Sequence, residues 1–176
     1  MRFTPISLSG AYLIDLEPIS DERGFFARSW CHDEFALHGL NPALVQCNIT
    51  WNKKKGTLRG MHFQSAPHEE AKLVRCVRGA IYDVIIDLRP NSSTFKEWFG
   101  VELNADNRSA LYVPEGFAHG YQTLTDDSEI LYQMSESYQP ACAASVRWND
   151  AAFGIQWPDD IRIISPRDQE IPDFLS

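Results

Sequence analysis

Pro114-Glu115-Gly116-Phe117-Ala118-His119-Gly120 is the stretch on which the fold reading turns. Proline presets its own φ and glycine tolerates the turn conformations that other residues resist, so Pro114 to Gly116 reads as a tight turn. His119 follows that turn and opens an apolar strand, with Tyr121 to Thr125 as its candidate body. Outward from this point the chain keeps offering short strands. In Ala80 to Leu88 (AIYDVIIDL), alternation places Val84, Ile86 and Leu88 on one face and Ile81, Asp83, Ile85 and Asp87 on the other. Trp98 to Leu103, Ser109 to Val113, Glu129 to Met134 and Ser145 to Trp148 are further candidates. Turn signals at Arg89 to Ser92, Asn104 to Asn107 and Asp126 to Ser128 separate them. Many short strands at near-regular spacing predict an all-β sandwich or jelly roll. His32 to Gly39 (HDEFALHG) reads as a short helix ending at glycine. The C-terminal tail, with Pro166 and Pro172, is expected to pack irregularly.

Length and composition agree with that picture. The chain has 176 residues, 44% apolar and 23% charged, which suits one domain (residues 1–176) with a substantial core. Its apolar runs are too short to span a bilayer as a helix, and MRFTPISLSG carries no secretory signal. No two of the four cysteines (Cys31, Cys47, Cys76, Cys142) have CxxC spacing, so free thiols in a reducing cytoplasm are expected. The net charge of −8 argues against a nucleic-acid partner, which needs a basic face. Lys53-Lys54-Lys55 reads as a solvated turn.

Of the five histidines, His32, His38 and His68 sit in polar segments and read as surface residues. His62 and His119 each follow a glycine and open an apolar strand. The Pro-x-Gly-x-x-His spacing ending at His119 resembles the second motif of cupin jelly rolls, where the turn sends the next strand into the barrel with its histidine inward. Metal-binding cupins supply a His-x-His pair in their first motif. Here the matching stretch is His62-Phe63-Gln64, and glutamine is a poor ligand for zinc or iron. A site of His62, His119 and Glu69 or Glu70 is therefore disfavoured. Acid–base chemistry fits better. Arg59 and Lys72 would bring positive charge near His62, stabilising an enolate oxygen and favouring a neutral imidazole able to accept a proton. Asp168 would orient that imidazole. Tyr132 alternates onto the face of Ile130 and Met134; from spacing alone it is equally an acid or a core phenol bonded to a carbonyl.

Taken together, Asp21-Glu22-Arg23-Gly24-Phe25-Phe26, Gln46-Cys47-Asn48, Leu58-Arg59-Gly60-Met61-His62-Phe63-Gln64, Lys72-Leu73-Val74, Asp87-Leu88-Arg89, the Pro114 to Gly120 block, Tyr132, Tyr138, Trp148-Asn149-Asp150, Trp157-Pro158 and Ser165-Pro166-Arg167-Asp168 resemble the dTDP-4-dehydrorhamnose 3,5-epimerases, in order and over nearly the whole chain. The resemblance implies a cupin-type jelly roll with short peripheral helices and no metal or organic cofactor. It implies His62 as base with Asp168 behind it, Tyr132 as acid on the opposite face of the sugar, and Lys72, Arg59 and His119 around the enolate. Gln46, Asn48 and Arg23 would contact the nucleotide, with Tyr138 beside it and Arg167 in the substrate-binding set. It also implies homodimers in which Arg23 and Phe26 reach into the neighbouring subunit's site. The reaction is inversion at carbon 3, carbon 5 or both of a nucleotide-linked 4-keto-6-deoxyhexose.

Two positions depart from the family pattern. Arg28 stands where the family has glutamate after Arg-Gly-x-Phe, and Ala143 or Ala144 where it has glutamate beyond the Tyr-x-Pro turn. Arginine only donates hydrogen bonds and glutamate only accepts them. Two readings stand level: a CDP- or GDP-linked sugar replaces the dTDP-linked one, or Arg28 points to solvent and the nucleotide is unaffected. A 3,4-ketoisomerase, a non-catalytic sugar-nucleotide-binding cupin and a metal-dependent dioxygenase are the competing functions. Tyr132, the retained set of His62, Lys72, Tyr132 and Asp168, and the missing His-x-His pair argue against each in turn.

Overall fold

The computed structural model describes residues 1–174, and among them are fourteen strands and two short α-helices. One sheet runs in the order β1 (Arg2–Pro5), β2 (Tyr12–Asp15), β10 (Ala110–Val113), β7 (Lys72–Arg78), β12 (Ser128–Met134) and β5 (Gln46–Asn52). The other runs β13 (Ala143–Ser145), β6 (Thr57–Gln64), β11 (Phe117–Thr123), β8 (Ala80–Asp87) and β9 (Trp98–Asn104), with β14 (Ile163–Ile164) added parallel to β6. A separate hairpin pairs β3 (Ile19–Asp21) with β4 (Gly24–Phe26). This is the jelly roll expected from the strand spacing.

The core lies between the two sheets. Val74, Cys76, Leu111, Val113 and Ile130 of the first sheet meet Ile81, Ile85, Leu103, Phe117 and Tyr121 of the second. A fully buried side chain of the Leu, Ile or Val type contributes roughly 1.5–3 kcal/mol over an exposed one, so this interleaving is the main force holding the sheets together. Each sheet also has a covered outer face. Phe35 of α1 (His32–Leu37) and Leu40 pack on Ile14, Leu73 and Tyr112. Val146, Phe153 and Ile155 pack on Met61, Val84, Ile86 and Ala118. Strand β8 therefore alternates as read, yet buries both faces, because the C-terminal segment covers the side that would otherwise meet water.

Several sequence expectations need correction. β11 begins at Phe117 rather than Tyr121, directly after the Pro114–Gly116 turn. The strand expected over Ser145 to Trp148 is instead Ala143–Ser145, which pairs with Gln64, Phe63 and His62; the chain then leaves the sheet so that Val146 can enter the outer core. His62 does not open a strand after a turn, because Gly60 lies inside β6. There Gly60 has φ +141°, and a Cβ on it would lie 2.5 Å from the Gly120 Cα. The two glycines let β6 and β11 approach at the point where their register shifts. The tail is not wholly irregular: β14 and α2 (Pro166–Gln169) fix it against β6.

Candidate active site

A cavity of about 520 Å³ opens between the sheets, walled by β5, β7 and β12 on one side and β6 and β11 on the other. The C-terminal helix α2 closes one flank. Ser165 caps it, its hydroxyl accepting the Asp168 N–H at 3.1 Å. That cap places Asp168, 4% exposed, behind His62, where Oδ1 meets Nε2 at 2.7 Å. The imidazole itself is open to the cavity, with 42% of its side chain exposed. A carboxylate only accepts, so Nε2 carries the proton in the neutral ring and Nδ1 carries the lone pair. Among the described residues Nδ1 has no hydrogen-bond partner, which leaves it free to take a proton from a bound molecule. Burial pushes the Asp168 carboxyl up, but the hydrogen bonds from His62, the Gly60 N–H and Ser165 outweigh it and hold the group below its ordinary range.

Tyr132 enters from β12, across the cavity from His62 on β6. Burial first, and then the neighbouring Tyr121, push its phenol well above the ordinary value. The hydroxyl is therefore protonated at neutral pH, as a general acid requires. Between the two sheets sit the cations. The Lys72 ammonium lies 3.0 Å from Glu70 and 3.3 Å from the His62 carbonyl oxygen. Arg59 donates its Nε–H to Asn52 Oδ1 at 2.8 Å. His119 faces inward from β11, as its turn predicts, and its Nε2 lies 2.7 Å from Asp83. Asp83 is wholly buried among Ile81 and Ile85, the apolar face on which alternation places it.

Gln46 and Asn48 line the wall from β5, and the Gln46 side-chain oxygen accepts the Tyr138 N–H at 3.0 Å. Tyr138 and Arg167 stand at the same rim. Ten of the twelve candidate residues named from sequence thus line one cavity. Arg23 and Phe26 do not. They lie on the β3–β4 hairpin, where Arg23 pairs with Asp21 and Phe26 is 72% exposed. Arg28 is also absent from the wall, its guanidinium bonded to Glu34 of α1, and Ala143 is occupied pairing with Gln64. Of the two readings of Arg28, the structure matches the one in which it leaves the ligand cavity of its own chain alone.

His32 lies beside Asp33, His38 stacks on Phe3, and His68 lies near Glu136; none of these lines the cavity. Among the described residues no three His, Cys, Asp or Glu side chains converge as a metal site needs. The four cysteines are free.

Sequence reasoning missed Thr50, Tyr121 and Ser165 on the wall, Asn52 behind Arg59, and Glu70 as a partner for Lys72. Tyr121 was within reach, since it stands two residues beyond His119 and shares its face. The partners Asn52 and Asp83 had no local signal beyond a polar residue on an apolar face.

Comparison with known proteins agrees with this geometry. The family model described as dTDP-4-dehydrorhamnose 3,5-epimerase matches residues 5–176. The dTDP-4-dehydrorhamnose 3,5-epimerase of Salmonella typhimurium is 44% identical over 161 residues, covering 89% of this chain and 87% of that one. The crystal structure of the enzyme of that name from Elizabethkingia anophelis superposes with a TM-score of 0.96 at 38% identity, covering 99% of this chain and 96% of that one. A Bacillus anthracis structure of the same name, with TDP and PPi bound, has a TM-score of 0.94 at 38% identity, with coverage of 98% and 99%.

Proposed function

Since the chain belongs to the dTDP-4-dehydrorhamnose 3,5-epimerase family and is a dTDP-sugar epimerase, we propose that His62 is its base and Tyr132 its acid, acting on opposite faces of the sugar ring. The observation that carries this reading is the His62–Asp168 pair facing Tyr132 across a cavity that also holds Arg59 and Lys72. A ketone at carbon 4 acidifies the protons at carbons 3 and 5. His62 Nδ1 takes one, and the proton leaves charge on the ketone oxygen. Arg59 and Lys72 stabilise that charge, with His119 beside them. Tyr132 returns a proton to the other face, and the carbon inverts. Base, acid and cations complete the chemistry, so the reading needs no cofactor.

Gln46, Asn48, Tyr138 and Arg167 hold the nucleotide end in this reading. Arg23 and Phe26 serve a second copy of the chain. The support is their place on an outward hairpin, together with the edge strand β5, whose Ile49 and Trp51 are exposed. Residues 1–176 act as one unit, because the tail supplies Asp168 to a histidine on β6. No helix among the described residues is long and apolar enough to cross a membrane. The proposed compartment is the cytoplasm, where four unpaired thiols stay reduced.

The test is incubation with dTDP-4-keto-6-deoxyglucose, product stereochemistry being read by NMR. Inversion at carbons 3 and 5 is expected. Recovery of unchanged substrate would refute the proposal. Equilibrium binding of dTDP, CDP and GDP should rank dTDP tightest.

A further inference from the structure

Behind the acid lies a second phenol that the reaction as described does not use. Tyr121 is 1% exposed, and its ring centroid is 6.4 Å from that of Tyr132. Its oxygen is 3.2 Å from Asn52 Nδ2 and 3.3 Å from Asn52 Oδ1. Arg59 settles which amide atom matters. Its Nε–H needs an acceptor and finds Oδ1 at 2.8 Å, so the amide nitrogen is turned toward Tyr121 and the Ser128 carbonyl. Tyr121 thus accepts from Asn52 and keeps its own proton to give.

We propose that Tyr121 and Tyr132 act as a coupled pair, in which Tyr132 protonates the sugar carbon, Tyr121 passes its proton to Tyr132, and the negative charge comes to rest on Tyr121 beside Asn52 and Arg59. The step balances. The enolate electron pair forms the new C–H bond as the Tyr132 O–H bond breaks, and the Tyr121 O–H bond breaks as Tyr132 regains its proton. One proton has left the pair and one has been gained by His62; exchange with water in the open cavity restores both. This rests on Tyr132 being the acid.

The surroundings favour charge on the inner phenol. Burial raises both groups. For Tyr121 the hydrogen bond to Tyr132, the Arg59 charge and Asn52 all pull back down, whereas for Tyr132 the neighbouring Tyr121 pushes further up. A coupled pair releases its first proton more readily than either phenol alone in the same pocket. The other titratable groups around the pair are His62 on β6, Lys72 and Cys76 on β7, Asp83 on β8 and His119 on β11.

The experiment compares Tyr121→Phe with Tyr132→Phe in heavy water, following deuterium uptake and inversion separately across pH. Tyr121→Phe should keep deuterium uptake on the His62 face and dTDP binding near wild type. Its kcat for inversion should fall roughly tenfold to a hundredfold with KM little changed, and the basic limb of the profile should move to higher pH. Wild-type inversion with an unmoved limb overturns the pair, as does an equal loss of uptake and inversion, which marks a merely structural role. If Tyr132→Phe itself inverts at full rate, the acid assignment falls as well; if only Tyr121→Phe does, the pair falls alone. Should Tyr121→Phe not fold, Asn52→Asp tests the same charge placement: slowed inversion is expected, and wild-type inversion contradicts it.

Discussion

His62 is made a base by what stands behind it. The Ser165 cap holds Asp168, Asp168 fixes the proton on Nε2, and Nδ1 faces the cavity with its lone pair. Replacing Asp168 by Asn keeps the shape and removes the charge. An amide nitrogen can then donate to Nε2 and turn the ring toward the wrong tautomer. Asp168→Asn should lower kcat by roughly 10²–10⁴-fold with dTDP affinity near wild type, as steady-state kinetics and titration calorimetry would report. At this scale the sequence was most legible where function constrains identity: the Leu58–Gln64 and Pro114–Gly120 blocks and the Ser165–Asp168 tail brought ten of the cavity residues to notice. What stayed hidden were residues defined by a partner on another strand. Asp83 meets His119 across β8 and β11, and Asn52 meets Arg59 from the opposite sheet, 7 residues away in sequence. Spacing along one strand carries no record of either contact.

Between β8 and β9 the chain must turn sharply, and Asp87 organises the connection. Its buried carboxylate accepts from Arg89, Ser92 and Thr94. Burial pushes its pKa up, but those hydrogen bonds win and hold it at about 2 against an ordinary 3.8. A lowered folded-state value means the stabilisation is complete above the unfolded value of 3.8 and is lost as pH falls through about 2. The contribution is about 2 kcal/mol. Urea titrations of Asp87→Asn should show roughly that loss at pH 7, with wild type and variant converging in stability below pH 3. The β6–β11 crossing gives a second prediction. Gly60→Ala would drive a methyl group to 2.5 Å from the Gly120 Cα at a φ of +141°, so it should cost roughly 3 kcal/mol or more, read as a lowered melting temperature. The alternation of β8 was readable because period two survives burial on either face. The end of β13 was not, because the apolar Val146 looks the same in sequence whether it continues a strand or leaves it for the outer core.

The molecule as a whole leaves the β5 edge and the β3–β4 hairpin uncovered, with Ile19, Phe26, Ile49 and Trp51 among the most exposed apolar side chains. An apolar edge of this kind asks to be covered, and a second copy that also lends Arg23 and Phe26 to the site covers it. The double variant Ile49→Lys, Trp51→Lys should sediment as a monomer and lose tenfold or more in kcat/KM, while wild type sediments as a dimer. The strand order and the two-sided burial come from long-range pairings, which the turn signals could delimit but not connect. The resemblance across the chain supplied that connection, and the jelly roll then set His62 and Tyr132 on facing sheets. That facing arrangement is the central claim, and deuterium uptake tests it most directly. In heavy water with dTDP-4-keto-6-deoxyglucose, the wild-type protein should place deuterium at each inverted carbon and His62→Asn should place none; uptake by His62→Asn at the wild-type rate would contradict the account.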